Sequence, residues 1–204
     1  MTKEEYAISL NKFVPDGTAS ILTDWIFEHA IQLTVSKDRK TKLGDFRTNM
    51  RDNTLRISVN GGLNSYSFLI TLVHEIAHAI VHKKYKRRVK PHGIEWKLAY
   101  QDLMLPFFEE KLLPNDILLP LLRYMQNPKA SSNADKKLFI ALRKYDSNRQ
   151  EIIYLEDLEE GSEFILQKRL FRKGKKRRSR FLCFDVSSGK EYTVNGLAEV
   201  LLAG

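Results

Sequence analysis

The fold is decided by residues 67–83, SFLITLVHEIAHAIVHK, whose apolar side chains cover most of the circumference of one predicted helix. Asn64 or Ser65 can cap the start of this helix. A helix that is apolar nearly all round is buried. Three polar residues remain near its centre: His74, Glu75 and His78. Because burying such groups is costly, they need partners or a chemical task.

The segment His74–His78 has the pattern HExxH. Residues four apart lie on the same face of a helix, so the two imidazoles can converge on one tetrahedral ion at about 2.0–2.1 Å. Glu75 lies beside a ligand without pointing at the metal. It is placed to take a proton from a water on the ion, whose pKa falls to about 7. The pattern therefore indicates a metal site with Glu75 as the catalytic base.

Two histidines compete for the third ligand position. His82 lies two turns beyond His74 on the same helix, about 12 Å along its axis. One ion is not easily bound by three side chains spread over that length, so we place His82 at the rim. His92 follows a loop long enough to leave the helix and return, and it opens a second predicted helix. We therefore favour His92, which leaves a fourth position open for water, as in hydrolytic zinc sites.

The flanking segments predict the rest of this domain. A helix is predicted over residues 21–33 (ILTDWIFEHAIQL) and a strand over residues 55–59 (LRISV). After Pro91, residues 92–105 (HGIEWKLAYQDLML) are typical of a second helix. We therefore predict an α+β fold in which one strand and two helices build the metal site.

These motifs resemble the SprT-like zinc metallopeptidase family, whose pattern is an HExxH helix followed by HGxx and an aromatic residue. The second motif is here His92-Gly93-Ile94-Glu95-Trp96. The resemblance implies His92 as third ligand, with Trp96 at the aromatic position. Residues 55–60 (LRISVN) resemble the family's strand that flanks the substrate cleft. The resemblance spans roughly residues 15–110 and implies a zincin-like core, a zinc-dependent endopeptidase and, from some members, substrates at or crosslinked to DNA.

The chain departs from the family pattern beyond residue 130. The polar break SSNADKK predicts a boundary between a domain of residues 1–130 and a domain of residues 131–204. The β-rich runs LFIALRKY, EIIYL, EFILQKRLF, RFLCFDV and EYTV then predict a small antiparallel β unit. Bacterial members usually end in a cysteine-rich zinc ribbon, which the single Cys183 cannot build. We therefore expect one Zn²⁺ per chain.

The formal net charge of +9 is concentrated in two basic clusters. Residues 83–90 hold the first cluster. The second comprises Arg172, Lys173, Lys175, Lys176, Arg177, Arg178 and Arg180. Such clusters favour polyanions, nucleic acid first and anionic membrane second, although solvated surfaces share this composition. We predict that the second cluster binds DNA. Of the nearby Phe171, Phe181 and Phe184, we expect at least two in the core, while any of them could stack on an unpaired base.

The cellular setting is predicted from what the sequence lacks. The opening residues, MTKEEYAISL, have no apolar core of signal length. The longest apolar stretch is interrupted by polar residues, so we expect no membrane span. One cysteine cannot form an intrachain disulfide, which fits a reducing compartment. We expect a cytoplasmic protein, nucleoid-associated if it binds DNA.

We predict a zinc-dependent endopeptidase that acts on proteins at or crosslinked to DNA. One alternative is a non-catalytic or weakly catalytic zinc-containing DNA-binding protein. Glu75 argues against it, because a purely structural site needs no base. A second alternative is a zinc peptidase for small peptides or another amide, whose basic unit serves a partner protein.

Overall fold

The computed structural model describes residues 1–39, 42–49, 52–86, 88–147 and 153–203. The chain forms two compact units, Met1–Ser147 and Asn148–Gly204. The first unit mixes helices with a small sheet, and the second is mainly an antiparallel sheet, so the fold is mixed α and β as predicted. Within the described ranges, no helix combines the length and the apolar character needed to cross a membrane.

The first unit combines helices with a three-stranded sheet, against which the helices Ala19–Glu28 and Ser65–Tyr85 pack. The elements in chain order are α1 (Lys3–Leu10), α2 (Ala19–Glu28), β1 (Ile31–Ser36), β2 (Gly44–Thr48), β3 (Leu55–Asn60), α3 (Ser65–Tyr85), α4 (Ile94–Glu109), α5 (Asn115–Met125) and α6 (Lys136–Arg143). The strand order is β1-β3-β2, with β1 parallel and β2 antiparallel to β3. Among the described strands, β2 is therefore at an edge, on the opposite side of β3 from β1.

Helix α3 is the central element of the first unit, as its apolar sequence predicts. Asn64 is its N-cap, and the Asn64 side chain accepts a hydrogen bond from the Ser67 N–H at 2.9 Å. Side chains on several sides of the helix are buried, among them Phe68, Leu69 and Ile70. Helix α4 packs against α3 through a stripe of buried side chains at helical spacing: Trp96, Tyr100, Met104 and Phe107.

The helix predicted over residues 21–33 extends too far, because its last residues belong to strand β1. Helix α2 ends at Glu28, and Ala30 takes a left-handed conformation (φ 53°) that turns the chain. The next residues form β1 instead, which pairs with β3 in register from Ile31 opposite Leu55. The apolar residues of the segment continue at alternate positions after the turn, which suits a strand.

The predicted strand over LFIALRKY is wrong, because these residues form most of α6. Asp135 caps this helix by accepting from the Leu138 N–H at 3.0 Å. Its buried side chains, Leu138, Ala141 and Leu142, have the spacing of one helix face. The first compact unit consequently extends to Ser147, later in the chain than the predicted boundary between residues 130 and 131.

The second unit is a six-stranded sheet with the order β4-β9-β5-β6-β7-β8. Its strands are β4 (Ile153–Tyr154), β5 (Glu163–Leu166), β6 (Arg169–Arg177), β7 (Arg180–Asp185), β8 (Glu191–Asn195) and β9 (Glu199–Leu202). Their pairings are antiparallel. The core of this unit comprises Leu155, Phe164, Phe171, Phe181, Cys183 and Val200. Apolar side chains thus form the core of this unit.

Asn64 connects the start of α3 to the end of α6. Besides capping α3, its amide donates to the Leu142 carbonyl at 3.0 Å and to Asp146 Oδ1 at 2.6 Å. We predict that Asn64→Ala lowers the free energy of unfolding by about 2 kcal/mol. The variant loses the helix cap, and two partly buried acceptors lose their hydrogen-bond donor. Urea titration of both proteins measures the difference. Asn133→Ala, an exposed matched control, should change it by less than about 0.5 kcal/mol.

Candidate metal centre and catalytic site

Helix α3 carries two of the three histidines, and the turn before α4 carries the third. His74 and His78 lie one helical turn apart on α3. His92 lies just before the α4 N-cap, Gly93, and has a left-handed backbone (φ 57°). The predicted second helix thus begins at Ile94, and the turn rather than the helix positions His92.

The three imidazoles converge through their Nε2 atoms. The distances are 3.2 Å between His74 and His78, 3.0 Å between His78 and His92, and 3.3 Å between His92 and His74. Two nitrogens that bind one tetrahedral ion at about 2.0–2.1 Å lie about 3.3 Å apart. The triangle therefore has the size that a metal ion requires.

Hydrogen bonding alone does not satisfy this triangle. A neutral imidazole Nε2 is either a donor or an acceptor, never both. Any assignment of protons to three mutually close Nε2 atoms therefore leaves at least one pair of like groups facing each other. A cation at the centre accepts all three lone pairs at once. The group of His74, His78 and His92 could thus hold a metal ion.

The protonation state of the histidines suits metal binding. Burial, with positive charge on His78 and His92 second, lowers the pKa of His74 to about 3. Burial, with the His92 charge second, lowers the pKa of His78 to about 4, and burial also lowers that of His92. At neutral pH the rings are uncharged, so their lone pairs are available as ligands.

Trp96 contacts all three histidine rings from α4. Its ring centroid lies 4.6 Å from that of His74, 4.7 Å from that of His92 and 5.2 Å from that of His78, on which it stacks. The indole N–H donates to the His74 carbonyl at 3.4 Å. Fully buried, Trp96 fixes the orientation of the rings, which gives the aromatic position of the second motif a structural role.

The structure does not bring His82 into the group. Its ring lies 5.7 Å from that of Phe46, centroid to centroid, one turn beyond His78 along α3. The rotation and rise of the helix take it away from the point where the other three converge.

Glu75 is buried beside the histidines, with only 7% of its surface exposed. Burial raises the pKa of its carboxyl to about 7, and the charge of Asp45 adds to the effect. Arg39, Lys42 and the Phe46 backbone N–H act in the opposite direction. A cation held by the neighbouring histidines would also favour the ionised form and lower this pKa.

The strand beside Glu75 is β2, not the predicted β3. A Cβ atom on Gly44 would lie 2.7 Å from Glu75 Oε1 and 2.7 Å from Thr71 Cγ2, so only glycine fits there. Phe46, two residues further on, stacks its ring against His78 at 6.5 Å between centroids. Strand β3 is paired on both sides, by β1 and β2, so it supplies the core rather than a cleft.

Two cavities open at the histidine group within the first unit. The larger, of about 370 Å³, contains His74 and Glu75 and is also lined by β2, Tyr100 and residues 130–133. The smaller, of about 270 Å³, contains His78 and Phe46 and is bordered by Lys86 and Lys90. The histidine group therefore borders open space in two cavities.

The two basic clusters differ in how they are placed. In the first, Lys83, Lys84, Lys86, Arg88 and Lys90 are exposed, and Arg87 lies outside the described residues. The second lies on the β6–β7 hairpin, where Lys175, Lys176, Arg177, Arg178 and Arg180 are exposed. Arg172 is exposed as well, but it pairs with Glu163 at 3.0 Å.

The prediction that Lys173 binds nucleic acid is wrong, because its side chain is buried. Lys173 is 4% exposed, and its ammonium donates to the carbonyls of Glu156 and Leu158. The same group lies 4.1 Å from the centroid of the Phe181 ring. These contacts occupy the charge inside the second unit, so Lys173 is not available to an external phosphate. Phe171 and Phe181 are also buried, as expected for two of the three phenylalanines.

Comparison with known proteins gives one family. The model described as the SprT-like family matches residues 8–111, half of the chain. The matched part runs through α4 and includes the three histidines and Glu75, but not α5, α6 or the second unit. No curated protein and no solved structure gave a significant match.

We predict that the purified chain binds close to one equivalent of divalent metal. His74→Ala, His78→Ala and His92→Ala should each remove most of it, because two imidazoles alone do not complete the site. His82→Ala is the matched control and should retain the metal. Mass-spectrometric metal analysis measures the content, and loss in His82→Ala with retention in His92→Ala would contradict the assignment.

Proposed function

Because the chain belongs to the SprT-like family, we propose that it is a zinc-dependent endopeptidase with a zincin-like core and one Zn²⁺ per chain. The observation that carries the proposal is the Nε2 triangle of His74, His78 and His92 with the Glu75 carboxylate beside it in an open cavity. Nitrogen ligands in a tetrahedral arrangement favour zinc. Glu75 favours an enzyme over a structural zinc site, which needs no base.

The mechanism assigns two proton transfers to Glu75. When bound, zinc supplies a Lewis acid that polarises the substrate carbonyl and acidifies water. Glu75 takes a proton from the attacking water as the water oxygen bonds to the carbonyl carbon. As the carbon–nitrogen bond breaks, Glu75 gives this proton to the leaving amine. Burial of the carboxylate in the slot beside Gly44 holds it in position for both steps.

We further propose that the substrates are proteins at or crosslinked to DNA. The support comes from the exposed end of the β6–β7 hairpin: Lys175, Lys176, Arg177, Arg178 and Arg180. Arg177 and Arg180 are directly opposite each other in the strand register. Like charges so placed destabilise a sheet, and bound phosphates would relieve their repulsion. Such contacts hold DNA without reading its sequence.

We predict that Glu75→Gln keeps the fold and the metal but lowers the rate of hydrolysis by at least about 10²-fold. Glutamine is nearly isosteric, yet it does not accept a proton from water at neutral pH. Cleavage of casein and self-cleavage, each with and without single-stranded DNA, measure the rate. Wild-type turnover in this variant would remove Glu75 from the mechanism.

We predict that replacing Lys175, Lys176, Arg177 and Arg178 together with Ala weakens DNA binding at least about tenfold at physiological salt and flattens its salt dependence. The matched control changes four exposed lysines of the first unit: Lys12, Lys37, Lys129 and Lys137. Fluorescence anisotropy with labelled DNA over a salt series measures both quantities.

Metal content should stay unchanged in both quadruple variants. Unaltered affinity and salt slope in the hairpin variant would exclude the hairpin as the DNA contact. The exposed lysines at residues 83–90 would then be the better candidate.

A further inference from the structure

The cavity that contains Glu75 is completed by residues outside the family match. Residues 130–133, here called the wall segment, line it together with residues of α3 and β2. They follow α5 and belong to the same compact unit as the histidines, whereas the matched part ends at residue 111. The part of the chain that resembles the family therefore forms only some of the cavity.

Hydrogen bonds hold the wall segment at both ends. On one side, the Tyr124 hydroxyl donates to the Lys129 carbonyl at 2.8 Å and accepts from the Lys129 N–H at 3.2 Å. On the other, Ser131 caps a short 3₁₀ turn (Ser132–Ala134), and Asp135 caps α6. Ser132 is buried. The wall segment is thus anchored to the fold rather than lying loosely over it.

We infer that the wall segment determines which residue the enzyme accepts immediately after the scissile bond; this rests on the proposed peptidase function. Glu75 must reach the leaving amine to give it a proton. Glu75 lines the larger cavity and not the smaller one, which contains His78. The residue that carries the leaving amine therefore lies in the larger cavity, against the wall segment.

The lining of the larger cavity favours an uncharged side chain. Ile70 and Tyr100 are buried and form an apolar floor. Asp45 is paired with Lys42 at 3.0 Å and also with Arg47, and the wall segment contributes hydroxyls and one amide. The reaction uses Glu75, and Lys42 and Asp45 are already paired. A charged substrate side chain would therefore be buried here without a partner, which is costly.

The test places a single carboxylate on the wall segment. Asn133 is exposed and lines the cavity, so Asn133→Asp should fold normally. Unfolded casein is digested, and mass spectrometry identifies the residue at each new amino terminus. The wild type should cleave before uncharged residues. Asn133→Asp should increase the share of Lys and Arg there about three- to fivefold, the effect of one partly exposed ion pair.

The matched control is Asn127→Asp, the same change at an exposed position of the same unit that does not line the cavity. It should leave the cleavage profile unchanged. An unchanged profile in Asn133→Asp, or an equal shift in Asn127→Asp, would overturn the inference. A wild type that cleaves no unfolded protein would instead count against the peptidase proposal.

A measurement without turnover separates these failures further. In the Glu75→Gln variant, a photoreactive amino acid replaces Asn133 or, as control, Asn127. Irradiation with casein should crosslink from position 133 at least about tenfold more than from position 127. Equal crosslinking would mean that the substrate does not pass the wall segment, whatever the rate of hydrolysis.

Discussion

Three imidazole nitrogens held within 3.3 Å of one another form an arrangement that their own protons do not satisfy. The surrounding structure is built to maintain it. Helix α3 is buried nearly all round, so the rotation of His74 and His78 is fixed. The left-handed turn at His92 brings in the third ring, and Trp96 packs against all three. Free energy from apolar burial thus keeps together three imidazoles that repel one another when protonated.

The features that depend on local spacing could be predicted from the sequence. The four-residue spacing of His74 and His78 defines a face of any helix, and the apolar residues between them require that helix to be buried. Helical rise argued against His82, and the returning loop favoured His92; the structure brings His92, not His82, to the pair. The catalytic role of Glu75 remains a prediction, although its burial beside this group is as expected.

The features that depend on tertiary packing were missed or misplaced. Gly44 resembles an ordinary breaker in the sequence, and its close approach to Glu75 follows from the register of β2 on β3. Lys173 belongs to a run of basic residues in the sequence, but its side chain is buried because successive side chains of a strand point to opposite faces.

For α6, the cap at Asp135 and the spacing of its apolar residues were available signals. So was the capping box of Thr2 and Glu5 that starts α1.

The contact of Trp96 with the three histidine rings has a consequence for optical experiments. The chain has two tryptophans, and the other, Trp25, packs against Phe107 at 5.7 Å between ring centroids. Imidazolium is a quencher of indole emission and neutral imidazole a weaker one, so the fluorescence of Trp96 reports the protonation and occupancy of the rings around it. With Trp25→Phe as background, Trp96 would be the one remaining tryptophan, and its emission would follow changes at the candidate metal site without an added dye or a substrate.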